Sequence, residues 1–330
     1  MLRQKELLIT VTAVLILLPY LAMLFAEGDN PQVNSAISIF DERNYSEAKE
    51  AFEKIIKENP NSHLSYYYLG RTERKLGNWE RAVELLKKAT ELAPDKTQYF
   101  RYLALSYFSG ARDAGLFRKP SLAKKGKEAM IKAVEMDPNN FDARFVLIAF
   151  YIEAPGLFGG DDDRALEQAK EVRKRDEVQG YKAFSIYYSL QEEWEKAEEE
   201  LLRGLKKHPD NLTLLEMLGS LYRRTDRHEK ALEIFDKILK DDPQNVYLHY
   251  TVGSLLIEME REPQRAAKLL NKFLDMYRAK DRLSSRAYFK LGEIYRKQNK
   301  KTMAISMYQK ALQINPDNDD AEDALDDLED

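Results

Sequence analysis

The 330-residue chain contains no cysteine, which excludes a disulfide framework, a thiolate metal site, a cysteine nucleophile and a lipid-modified cysteine. Histidine is scarce: His63, His208, His228 and His249 are the four present, and none stands in H-E-x-x-H or another zinc-ligand spacing. There is no G-x-S-x-G elbow, no Walker loop and no dinucleotide fingerprint. Charge of one sign is also missing, since 52 basic side chains face 56 acidic ones for a net charge of −4. Bulk electrostatics therefore argue against a nucleic-acid binder. Together these absences predict no catalytic residues, no cofactor and no metal.

What the chain does hold is 44% apolar residues, too many for a disordered polymer. Twenty of its positions, Leu7 to Ala26 (LLITVTAVLILLPYLAMLFA), carry no charge, and as a helix they would rise about 30 Å, the thickness of a bilayer core. Arg3 and Lys5 precede this run and Glu27 and Asp29 follow it. The positive-inside rule then predicts a single-pass chain with its N-terminus cytoplasmic and everything beyond residue 28 outside, in the periplasm of a bacterium. Leu24 is a poor residue for a signal-peptidase site after Ala26, so an uncleaved anchor is expected over a cleaved signal segment that would release the protein. No later stretch approaches this length of uncharged apolar sequence.

Prolines expose an internal repeat. Pro60 and Pro94 lie 34 residues apart, as do Pro209 and Pro243, and each ends a helical pattern in a proline–Asx turn. The remaining proline spacings fit the same unit with insertions, giving eight units over residues 29–316. In register, a small-residue column appears at Ala48, Ala82, Gly126, Ala165, Ala197, Ala231, Ala266 and Ala304. A second runs through Ala36, Gly70, Ala104, Ser185, Gly219, Gly253 and Gly292, with Ile148 as the exception in unit four. Small residues on two successive amphipathic helices let their backbones approach closely, so each unit reads as an antiparallel helix pair.

With these columns the sequence resembles the tetratricopeptide repeat (TPR) family, most plainly in Ser65–Pro94, SYYYLGRTERKLGNWERAVELLKKATELAP. The resemblance implies an all-α, right-handed α-solenoid of about eight helix-turn-helix repeats, here preceded by the transmembrane or signal helix. Units four and seven lack the terminal proline. Two consecutive units carry inserts, near 109–126 and 153–163, sharing Gly115-Leu116-Phe117 and Gly156-Leu157-Phe158; the second resembles an insertion of exported bacterial TPR proteins. Phe117 and Phe158 are expected to tuck into the edge of the array, with a composite partner site on that edge as the alternative. Asp161 or Asp162 is expected to cap the next helix rather than bind calcium.

In this family the first helix of each unit lines a groove. The family's ligand-contacting positions map here to Tyr67, Arg71, Arg74 and Lys75, then Arg101 and Phe145, then Lys182, Arg223 and Arg224, and finally Tyr247, Tyr250, Phe289, Arg296 and Lys297. The lysine–asparagine carboxylate clamp of co-chaperone relatives is not matched. Cations interleaved with aromatics suit an acidic, extended protein segment. The expected function is thus a non-catalytic, membrane-tethered interaction scaffold. The other reading is an accessory subunit of an envelope enzyme, secretion or polysaccharide complex, with catalysis on another chain. Residues 317–330 contain nine acidic side chains and no basic one, so they are read as an acidic capping helix on a mildly cationic array.

Overall fold

Asx and serine side chains mark where most of the first helices begin. In the computed structural model, which describes residues 30–115 and 117–329, Asn30, Ser62, Asn140, Asp176, Asn211, Asn245 and Asp281 each accept a hydrogen bond from a backbone N–H two or three residues ahead. Such caps satisfy donors that the first turn leaves orphaned. Seventeen helices and no strand are found among the described residues.

The described residues fall into two compact units, divided between Asp137 and Pro138. Unit one holds three helix pairs: α1 (Pro31–Asp41) with α2 (Tyr45–Glu58), α3 (His63–Lys75) with α4 (Trp79–Leu92), and α5 (Thr97–Asp113) with α6 (Lys119–Met136). Unit two holds five more: α7 (Phe141–Glu153) with α8 (Asp162–Arg175), α9 (Glu177–Leu190) with α10 (Trp194–Lys207), α11 (Leu212–Arg224) with α12 (His228–Asp241), α13 (Val246–Glu258) with α14 (Pro263–Met276), and α15 (Arg282–Lys297) with α16 (Lys301–Ile314). A single helix, α17 (Asp319–Glu329), packs on α16. Each helix packs against its pair mate, and within a unit first helices of neighbouring pairs also touch one another. The apolar run at residues 7–26, and the membrane helix expected from it, lies outside the described residues. Among those described, no helix is long and apolar enough to cross a membrane.

Within a pair, a bulky side chain of the second helix seats on the small residue of the first. A β-carbon on Gly219 would stand 2.5 Å from a ring carbon of Phe235, and one on Gly292 would stand 2.3 Å from the ring of Tyr308. The small column from Ala48 to Ala304, on the second helices, is likewise fully buried wherever it is alanine. In α7 the small residue is replaced by Ile148, which is itself buried. Around these contacts lie Phe52, Leu86, Leu201, Leu270 and Phe273, all inaccessible to solvent. Each such side chain contributes roughly 1.5–3 kcal/mol.

Six of the turns inside the pairs use a left-handed residue. Arg43, Gly77, Glu192, Asp226, Glu260 and Asn299 supply it, with φ between 51° and 88°. Only Gly77 meets this requirement without steric cost.

The first insert is mostly helix. Its ends are helical, since α5 runs for 17 residues and α6 for 18. Gly110 permits the extension, because its backbone lies against Trp79, 2.3 Å from where a β-carbon would be. On the other side Pro120 occupies the first turn of α6, where a missing N–H costs nothing. The second insert forms a short 3-10 turn, Gly156–Phe158, followed by Gly159 at φ 96°. Asp161 then caps α8 by accepting from the Arg164 N–H.

Two outcomes follow from this packing. Leu218→Asp buries a charge where Leu218 is 4% exposed, and Gly219→Val drives a side chain into Phe235. The first should cost about 3 kcal/mol or more and the second about 1–3 kcal/mol, read as lowered urea midpoints. A separate effect concerns His249, whose ring is buried, contacts the Pro243 carbonyl oxygen at 3.1 Å and is held below its usual pKa of 6.5 by desolvation. Below pH 6.5 the unfolded chain therefore binds this proton more readily than the folded chain, and stability falls as pH drops through that range. His249→Gln should flatten the loss of urea midpoint between about pH 7 and pH 5 relative to the parent chain.

Candidate functional site

Because the bulky side chains of second helices cover one face of each first helix, the positions opposite are left to solvent or to a ligand. Every groove position predicted from the sequence lies on a first helix, α3, α5, α7, α9, α11, α13 or α15. Their chemistry divides sharply once geometry is known.

Some of the cations are neutralised within the fold. Arg223 forms a two-pronged pair with Glu258 at 2.5 and 3.0 Å. Arg296 does the same with Glu293 at 2.8 and 3.0 Å, and Lys297 reaches Glu260 at 2.9 Å. Burial works to raise the Glu293 pKa, but hydrogen bonds donated by Arg296 and Tyr308 outweigh it and hold the carboxylate below its usual range. Reversing Arg223 would therefore set a carboxylate against Glu258, so that residue reports on folding as well as on binding.

Other cations rest on aromatic rings. In unit two, the Lys182 ammonium lies 4.6 Å from the Phe145 ring centre and the Arg224 guanidinium 4.7 Å from that of Trp194. In unit one, Arg71 is surrounded by Phe40, Tyr67, Tyr68 and Tyr102 at 4.6–5.2 Å. Arg74 lies 5.7 Å from the Tyr102 ring, and Arg101 lies 4.8 Å from it. Neither Arg71 nor Arg74 has an acceptor for its buried Nε. Cation–π contact holds such a charge in place while leaving its hydrogen-bond donors unused. Desolvation lowers the Arg74 pKa, and Arg71 and Arg101 add repulsion to it.

Aromatic positions divide as well. Tyr67 is buried and stacks on Tyr99 at 4.4 Å, and burial raises its pKa. Tyr250 packs on Phe273 and Phe289 on Tyr308, so these rings serve the core. Tyr247 is 49% exposed and meets Tyr277 edge-on, while Lys75 is exposed at the end of α3. Of the two loop phenylalanines, Phe158 is half-buried but Phe117 is 97% exposed, as is 89% of Leu157. The expected tucking of Phe117 into the edge does not occur, because the five residues between α5 and α6 are too short to fold it back. The two loops belong to different compact units.

One cleft unites several of these residues. Between α9 and α11 a groove of about 450 Å³ is lined by the cations Lys182 and Arg224, by the Glu216 carboxylate and several serine and threonine hydroxyls, and by Ile186, Leu190, Met217 and Leu221 as its apolar stripe. The sequence register had marked the two cations but not the apolar positions, which look like ordinary core residues in a helical pattern. A second cleft of about 260 Å³ between α13 and α15 is lined by Ile257, Phe289 and Lys290. Desolvation lowers the Lys290 pKa against the attraction of Glu258. Among the described residues no group of three or more histidine, aspartate or glutamate side chains is arranged to hold a metal ion.

Comparison with known proteins agrees with the repeat architecture. Models of the tetratricopeptide repeat match residues 40–105, 181–246 and 285–318, together about half of the chain. A TPR repeat-containing protein of Methanocaldococcus jannaschii is 24% identical over 302 residues, covering 91% of this chain and 47% of its own. Protein O-mannosyl-transferase TMTC3 of Homo sapiens is 24% identical over 232 residues, 60% of this chain and 24% of that one. The chain thus spans less than half the length of either relative. Among solved structures, an IFIT1 monomeric mutant with Gppp-AAAA aligns at a TM-score of 0.51 and 18% identity, over 89% of this chain and 70% of that one, a likeness of fold. Repeats of this kind are generally non-catalytic scaffolds for protein interaction, although TMTC3 carries the name of an enzyme. Eight helix pairs closed by small-on-large contacts, matched by repeat models in both compact units, place this chain in the tetratricopeptide repeat family.

Proposed function

We propose that the protein is a membrane-tethered, exported interaction scaffold that receives an extended acidic segment of a partner protein along its first helices. The observation that carries this reading is the α9–α11 cleft, where an apolar stripe is combined with two cations held on rings, while the cleft's own carboxylate, Glu216, accepts from the Asn245 amide at 2.9 Å. A segment with carboxylates flanking one or two apolar residues would satisfy both features at once. Carboxylates would pair with Lys182 and Arg224 as charge-assisted hydrogen bonds, and the apolar side chains would cover Ile186, Leu190 and Met217. The tether rests on the uncharged run Leu7–Ala26 and its flanking charges.

A labelled peptide with glutamate pairs flanking leucine tests the cleft by fluorescence anisotropy. Lys182→Glu with Arg224→Glu should weaken its binding about tenfold or more, and raising salt from about 50 to 500 mM should weaken binding to the parent chain in the same direction. Arg296→Ala with Lys297→Ala should change affinity by less than about threefold, because those cations are already paired. Equal binding by the Lys182→Glu, Arg224→Glu variant would refute the cleft as the receiving site. The tether is tested by membrane fractionation: the full chain should stay with membranes through alkaline carbonate, and a chain lacking residues 1–28 should not. Release of the full chain by carbonate would remove the anchor from the reading.

A further inference from the structure

Two surfaces of this protein are electrostatically uncompensated, and they carry opposite signs. The first is the Arg71–Arg74 pair in unit one. Most buried or half-buried arginines elsewhere find a carboxylate: Arg173 with Glu200, Arg227 with Glu198, Arg265 with Asp236. Arg71 and Arg74 do not, although both are partly buried and both have an Nε without an acceptor. The nearest acidic residue in α3, Glu73, is committed to Lys49 at 3.0 Å and to the Asn78 amide at 2.7 Å. Removing two like charges from water without a counter-ion is unfavourable, and an incoming anion would relieve it.

The second surface is α17. Asp319, Asp320, Glu322, Asp323, Asp326 and Asp327 are all exposed, and among the described residues none has a cationic partner. Residues three and four apart in this helix repel one another. Asp326 and Asp327 lie in its last turn, which contains no basic residue, so they also oppose the negative end of the helix dipole. The helix is nevertheless held firmly. Ala321 is buried, and the Asn318 amide donates to Ser285 Oγ at 2.9 Å, with Ser285 donating in turn to the Ala311 carbonyl at 2.9 Å. A rigid acidic helix is thereby presented beyond the end of the repeat array.

We propose that the Arg71–Arg74 face of one copy of the chain receives the acidic face of α17 from a second copy. The two defects cancel: the guanidinium donors gain carboxylate acceptors, and α17 gains the cations its last turn lacks. The contact joins different surfaces of the two copies, so it is head-to-tail and leaves a free Arg face at one end and a free α17 at the other. Assembly then continues with concentration into rings or short chains. The inference shares with the proposed function the idea that ring-stacked cations accept carboxylates, but it uses a different pair of cations.

Sedimentation velocity of the full chain in detergent micelles is the test. Association should grow with protein concentration at about 50 mM salt and be suppressed by about tenfold or more at 500 mM. Arg71→Glu with Arg74→Glu should abolish it, as should Asp320→Lys with Asp323→Lys and Asp327→Lys. Mixing these two variants should restore complexes, because each supplies the charge the other has reversed. Arg71→Gln with Arg74→Gln retains side-chain bulk among the four rings and guards against misfolding; it should weaken association by about tenfold while leaving the thermal melt in place. A parent chain that stays monomeric at every concentration overturns the proposal, as does undiminished association of either charge-reversed variant or failure of the mixture to reassociate. If association is absent but the glutamate–leucine peptide still loses affinity on Lys182→Glu with Arg224→Glu, the self-docking idea falls and the groove reading stands. If both are absent, both fall.

Discussion

Everything in this molecule depends on how closely two helices of a pair approach. A glycine, alanine or serine on the first helix accepts a leucine, phenylalanine or tyrosine from the second, as Gly70 accepts Leu86 and Gly292 accepts Tyr308. That contact consumes one face of the first helix and fixes its rotation about its own axis. Rotation in turn decides which positions remain on the opposite face. Arg71 and Arg74 sit one and four residues after Gly70, and Arg223 and Arg224 sit four and five after Gly219. The character of the surface therefore follows from the same register that builds the core.

Once the register is set, what distinguishes one cation from another is its neighbour. Glu258, Glu293 and Glu260 lie close enough to Arg223, Arg296 and Lys297 to hold them as structural pairs at the surface, where each pair is worth on the order of 0–1 kcal/mol. Lys182, Arg224, Arg71 and Arg74 lie instead over rings. A ring fixes the cation without neutralising it. Preorganised in this way, such a side chain loses less conformational entropy on meeting an anion than a mobile surface lysine would.

Much of this was legible in the sequence. The eight units and the small columns follow from a 34-residue period read against proline and Asx turns, and the assignment of groove positions to first helices follows from the resemblance to the repeat family. Pairing was not legible, because Arg223 and Glu258 are 35 residues apart and Lys297 and Glu260 are 37 apart, so only the close packing of neighbouring first helices brings them together. The α9–α11 cleft was hidden for a related reason. Ile186, Leu190, Met217 and Leu221 carry the spacing of buried helix positions, and whether such a stripe is covered depends on the gap between two helices rather than on either helix alone. Phe117 misled in the opposite direction: an aromatic beside glycine in an insert reads as an anchor, yet the helices on both sides lengthen until too little chain is left to turn it inward.

The distribution of charge gives the near-neutral total a different meaning. Many acidic residues of the array are paired with its own arginines and lysines, whereas among the described residues Asp319, Asp320, Glu322, Asp323, Asp326 and Asp327 of α17 form no ion pair. An excess of that kind is stable only because α17 has just one face to pack, with Ala321 buried and the carboxylates around it hydrated. Terminal helices of repeat arrays need a polar outer face to stop stacking from continuing by hydrophobic contact. Here the polar face of α17 is of a single sign, which makes it strongly attractive to any surface that displays unpaired guanidinium groups.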